Sequence, residues 1–110
     1  MQTPIEITFR DMTPSTALEA AVRDWATRLD HVLPMQRCAV VIEMPHRHHR
    51  HGAPFQAHVS ISIPGHSVSV SRGARAEYQD PYLAVGDAFR AARRELLDFV
   101  AQRREARPTL

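Results

Sequence analysis

Residues 46 to 52 read HRHHRHG, which places four of the chain's seven histidines beside two of its fourteen arginines with no acid among them. Two chemistries use such a set. In an extended chain His46 and His48 share one side and His49 and His51 the other, so pairs of imidazoles could pinch a zinc or nickel ion. A structural zinc takes four ligands, commonly with cysteine among them, and the chain has one cysteine only. Arg47 and Arg50 would also repel a dication. The other chemistry is phosphate recognition, to which guanidinium forks and imidazoles are suited. The segment therefore reads as a basic hairpin tip that touches phosphate, with a merely solvated tip as the plain alternative. No metal and no cofactor are expected.

Two further groups of cations stand apart from this run. Arg90, Arg93 and Arg94 fall off the apolar stripe of a helical stretch, and Arg90 and Arg94 share a face at i, i+4. Asp87 and Asp98 are near enough to neutralise them as ordinary surface ion pairs. Arg72 and Arg75, in SRGAR, flank Gly73, whose neighbouring amides could add phosphate contacts. Catalytic patterns are missing: there is no nucleophile elbow, no phosphate-cradling glycine loop, no zinc-protease helix motif and no cysteine pair. The serines that alternate beside His58 read as the wet face of a strand, not as a nucleophile with its base. Cys38, in phase with Val40 and Ile42, is expected to be buried and inert. Trp25, in phase with Leu18 and Leu29, is expected in the core and not as a base-stacking platform. The chain reads as a binding protein and not as an enzyme.

The charge is unevenly distributed. The net value of +2 is modest, yet residues 44–76 hold four arginines and six histidines without one acid, while residues 1–43 carry four arginines against six acids. Residues 77–110 balance six against six. Such asymmetry favours a polyanionic partner. At 110 residues the chain suits one core. It has no apolar run long enough to span a bilayer and no basic-then-apolar leader, so a cytoplasmic protein with no membrane partner is expected.

These cations are positioned by elements that the residue pattern marks out. IEITFR alternates Ile5, Ile7 and Phe9 against Glu6, Thr8 and Arg10, as a half-buried strand does. Leu18, Val22, Trp25, Leu29 and Val32 then recur at helical spacing, opened by Thr13 or Ser15 as N-cap and closed before Pro34. RCAVVIEM puts Cys38, Val40, Ile42 and Met44 on one face. FQAHVSISI and SVSVS, joined at PGH, continue as a meander. Asp80 and Pro81 open a last helix whose stripe is Tyr82, Val85, Phe89, Ala92, Leu96 and Phe99. Its tail, RREARPTL, is polar and expected to fray. The fold class is α+β in the order β-α-β-β-β-α, a four-stranded mixed sheet with both helices packed on one face. Residues 1–107 form a single domain and 108–110 a short polar tail.

This order, together with IEITFRDM, TPSTALEAAVRDWATRLDHV, RCAVVIEM and above all YQDPYLAVGDAFRAARREL, resembles the ribosome hibernation promoting factors. That family is also called ribosome-associated inhibitor A or sigma-54 modulation proteins. The most specific part is Asp80, Tyr82, Ala84 and Val85 at the start of the last helix. Arg94 matches a basic position in that helix, and Arg28, in TRLDH, one near the end of the first. The resemblance implies a fold like a double-stranded RNA-binding domain. It further implies binding of ribosomal RNA in the messenger and transfer RNA channel of the small ribosomal subunit, which silences idle ribosomes under stress. It is to the short form, so a separate ribosome-pairing factor would be needed to join two ribosomes. Where the family often carries lysines along the last helix, this chain has Ala91, Asp98 and Val100. Two other readings remain from the residues: a metal-binding protein using the histidine run, and a protein-interaction module of the same fold that has lost ribosome binding.

Overall fold

The computed structural model describes residues 4–44, 54–73 and 79–105. Its elements are β1 (Ile5–Arg10), α1 (Thr16–Val32), β2 (Arg37–Glu43), β3 (Gln56–Ile63), β4 (His66–Gly73) and α2 (Pro81–Glu105). The sheet has the strand order β1-β2-β3-β4. β1 and β2 are parallel, with α1 as the crossover that an adjacent parallel pair needs, and β2, β3 and β4 form the antiparallel meander. The α+β architecture expected from the residue pattern is the one observed.

Register aligns the inward residues into rows. Ile7 pairs with Val40, Val40 with Val59 and Val59 with Val70, while Ile5, Cys38, Ile61 and Val68 form the next row. These side chains meet Leu18, Val22, Ala26 and Leu29 of α1 and Val85, Ala88, Phe89, Ala92 and Leu96 of α2 in one cluster. Alanines at 84, 88, 91 and 92 of α2 are all buried. Their small side chains let the helix backbone approach the β3 and β4 side of the sheet closely. Cys38 is fully buried, and loss of solvation pushes its thiol up to about 11, so the thiolate that would react is suppressed at neutral pH.

Local chemistry sets the helix ends. The Ser15 side chain accepts from the Leu18 amide at 3.1 Å, a cap that contributes about 1 kcal/mol relative to alanine. Asp80 serves α2 in the same way: its carboxylate accepts from the Tyr82 amide at 2.9 Å and its carbonyl from Leu83 at 3.1 Å. α1 ends at Val32, and the Leu33 amide donates back to the Leu29 carbonyl before Pro34. Gly65 makes the β3–β4 turn at φ 84°, where a side chain would be strained.

Three expectations are corrected. Tyr82 is 46% exposed and Val32 49% exposed, so neither belongs to the core. Tyr82 stands in the first turn of α2, where the buried face has moved to Ala84 and Val85. α2 also continues through Arg103 and Arg104 to Glu105, so the first residues of the expected frayed tail are helical. Arg103 donates to the Pro64 carbonyl at 3.3 Å, which ties this end of α2 to the β3–β4 turn.

Candidate nucleic-acid interface

Along α1 the buried residues are Leu18, Val22, Ala26 and Leu29. Ala26, not Trp25, takes the position that faces the sheet. Because successive residues turn by about 100°, Trp25 is rotated to the flank of α1 beside α2, and Val32 follows it two turns later. Trp25 is therefore half-buried and packed against the core from its edge. Its ring stacks on Phe89 of α2 with centroids 5.9 Å apart and planes 9° from parallel. Gly86 lies under this contact: a Cβ there would touch Trp25 Cζ2 at 3.4 Å and press on Arg90 Nη1 at 3.2 Å, which the end of that side chain can yield.

Two guanidiniums cover the indole. Arg28 Cζ lies 4.5 Å and Arg90 Cζ 5.1 Å from its centroid, within cation–π range. With Leu29, Val32, Phe89 and Arg93 they line an open groove of about 350 Å³ between the two helices. Arg28 pairs with Asp24 at 3.1 Å and Arg90 with Asp87 at 2.8 Å. Both are exposed pairs within one helix, of the kind that contributes about 0–1 kcal/mol, so a phosphate can compete for these cations. Arg93 and Arg94 are exposed and form no ion pair among the described residues.

The predicted site residues thus divide into three. Arg28, Arg90 and Arg93 come together on the groove, with Arg94 beside them on the outer surface of α2. Arg72 stands apart at the end of β4, its guanidinium donating to the Ser71 carbonyl at 2.8 Å. Arg47, Arg50, Arg75, His46, His48, His49 and His51 lie outside the described residues. No three of histidine, cysteine, aspartate and glutamate among the described residues are grouped to hold a metal ion. Trp25 is the residue whose surroundings the spacing misjudged. The one usable signal was Trp25 and Arg28 at i, i+3, since the partnership with Arg90 spans 65 positions and depends on how the helices pack.

The sheet face away from the helices is polar. Ser60 pairs with Ser69 and Ser62 with Ser67, each at 3.1 Å across the β3–β4 ladder. Arg37 reaches Glu6 across β1 and β2 at 3.1 Å. Glu43 is 8% exposed, and it is satisfied by His58 Nε2 at 2.8 Å and Arg10 at 3.4 Å. A carboxylate only accepts, so the imidazole donates from Nε2 and its Nδ1 meets the Ser71 hydroxyl at 2.6 Å. Although hydroxyl, imidazole and carboxylate stand in line, Ser71 extends from a regular strand and no strained turn presents it. The arrangement satisfies a buried carboxylate across three strands.

Comparison with solved structures places the fold among known ones. The crystal structure of the Thermus thermophilus Protein Y N-terminal domain is similar with a TM-score of 0.69 and 20% identity, over 90% of this chain and 99% of that one. A ribosomal subunit interface protein from Coxiella burnetii is similar with a TM-score of 0.68 and 14% identity, over 88% of this chain and 97% of that one. Comparison with curated proteins gives no match. The family model described as sigma 54 modulation protein / S30EA ribosomal protein matches residues 5–104, which takes in every described strand and helix but the last residue of α2. The chain belongs to the sigma 54 modulation protein / S30EA ribosomal protein family.

Proposed function

We propose that this chain is a non-enzymatic hibernation factor that binds the small ribosomal subunit in the messenger and transfer RNA channel and silences idle ribosomes in the cytoplasm. The observation that carries the proposal is the family match over residues 5–104. The similar Coxiella burnetii protein is described as a ribosomal subunit interface protein, which agrees with a ribosomal partner. Arg28, Arg90, Arg93 and Arg94 supply phosphate contacts from the helical side of the molecule. No described helix is long and apolar enough to cross a membrane.

The test is co-sedimentation with purified small subunits as salt is raised. With four phosphate contacts, a fourfold rise in salt should weaken binding about 50- to 150-fold through counterion release. A protein that stays in the supernatant at every salt concentration refutes the proposal. Tight binding that ignores salt contradicts the phosphate contacts.

A further inference from the structure

We infer that the groove between α1 and α2 is a pocket for one unpaired RNA base, with Trp25, Arg28 and Arg90 holding the base and Arg93 and Arg94 meeting the phosphates on either side of it. The inference rests on the ribosome-binding reading and names the part of the RNA that this surface takes.

Three observations carry it. The first is composition: among the described residues the groove is lined by Trp25, Arg28, Leu29, Val32, Phe89, Arg90 and Arg93, three cations around an apolar floor, with Asp24 and Asp87 pairing Arg28 and Arg90 from outside that lining. A flat ring attached to an anion complements this pattern, whereas an apolar peptide would strand the guanidiniums against hydrocarbon. The second is geometry. Phe89 and Trp25 already form a near-parallel stack, and the guanidiniums of Arg28 and Arg90 lie 4.5 and 5.1 Å from the indole centroid. Aromatic rings and guanidinium planes are the two surfaces on which proteins stack unpaired bases. The third is size. At about 350 Å³ the groove is at the small end of ligand pockets, which run from roughly 300 to 1,000 Å³, so it takes one base with its sugar. A paired base cannot enter, because its faces are covered by its neighbours in the duplex. The occupant is therefore a base in a single-stranded segment or a bulge.

Trp25 is the chain's only tryptophan, so its fluorescence reports on this groove alone. The full chain is titrated with an oligoadenylate octamer, with an abasic ribose-phosphate octamer of the same charge, and with adenosine monophosphate. The expected result is saturable quenching by the oligoadenylate, none by the abasic oligomer, and far weaker binding of the mononucleotide. Because the variants lack tryptophan and the abasic oligomer does not quench, affinities are compared by the anisotropy of end-labelled octamers: Trp25→Leu should lower affinity for the oligoadenylate about tenfold, Trp25→Phe should restore most of it, and neither should alter affinity for the abasic oligomer. If Trp25→Leu fails to fold, the wild-type titrations decide. Equal quenching by the two octamers, or no quenching by either, overturns the inference. So does unchanged oligoadenylate affinity in folded Trp25→Leu, and so does a mononucleotide that binds as tightly as the oligomer, which would make the groove a free-nucleotide site. Co-sedimentation of the wild type separates the two levels. If it still pellets with small subunits, only the base pocket is lost, and if it does not, the ribosomal reading has failed.

Discussion

Changing Arg90, Arg93 and Arg94 together to glutamate is expected to weaken small-subunit binding by about three orders of magnitude and leave the fold intact. Each arginine is exposed on α2, and charge-assisted hydrogen bonds contribute about 1.5–3 kcal/mol apiece, so losing three removes at least about 4 kcal/mol. Repulsion between the new carboxylates and RNA phosphates adds to the loss. The cost to stability is small by comparison. Arg90→Glu gives up its pair with Asp87 and its contact with Trp25, together about 1–2 kcal/mol at an exposed site, while changes at Arg93 and Arg94 break no ion pair among the described residues. Binding by pelleting and folding by circular dichroism, measured on the same preparation, check both halves. The triple glutamine variant should fall between the two in affinity. If the glutamate variant binds as the wild type does, the contact surface is elsewhere on the chain.

The second large effect is on stability. Phe89 is 1% exposed, stacks on Trp25, and joins α2 to the sheet and to α1, so Phe89→Ala should cost about 3–5 kcal/mol. A domain of this size commonly holds about 5–15 kcal/mol, so the variant should be close to the limit of folding, with its Tm lowered by some 10–20 °C or more. Val32, 49% exposed on the same groove, is the control, and its change to alanine should stay within about 0.5 kcal/mol. Urea unfolding followed by Trp25 fluorescence measures both. A cost for Phe89→Ala below about 1 kcal/mol would mean that the helix is not seated on the sheet as described.

The architecture was largely legible because each element announces itself locally. Strict alternation in QAHVSISI leaves one register that buries Ala57, Val59, Ile61 and Ile63, and Ser15 and Asp80 mark their helix starts by side chains that cap. Less legible was which flank of each helix would be covered. Trp25, Val32 and Tyr82 all keep the helical period, but the core of α1 is narrow, with Ala26 at its centre, and the core of α2 is centred on alanines. These larger residues are turned to the rim, a result set by the distance between helix and sheet and not by spacing. Glu43 shows the same limit on the other face. Its burial depends on Arg10 and His58, which reach it only once β1 and β3 are in register on either side of β2. Of the candidate site, Arg90 and Arg93 could be named from their helical spacing and Arg28 from the family resemblance, whereas their meeting around Trp25 required the packing of α1 against α2.

A hibernation factor of this kind should occupy the channel through which messenger and transfer RNA pass. That occupation is tested most directly by comparing binding to empty small subunits with binding to small subunits already loaded with messenger and transfer RNA. Tight, saturable binding at low salt is expected to the empty particles, with loss of most of that binding to the loaded ones and displacement of transfer RNA by added protein. Equal binding to both, with transfer RNA retained, would contradict it and place the protein on another surface of the ribosome.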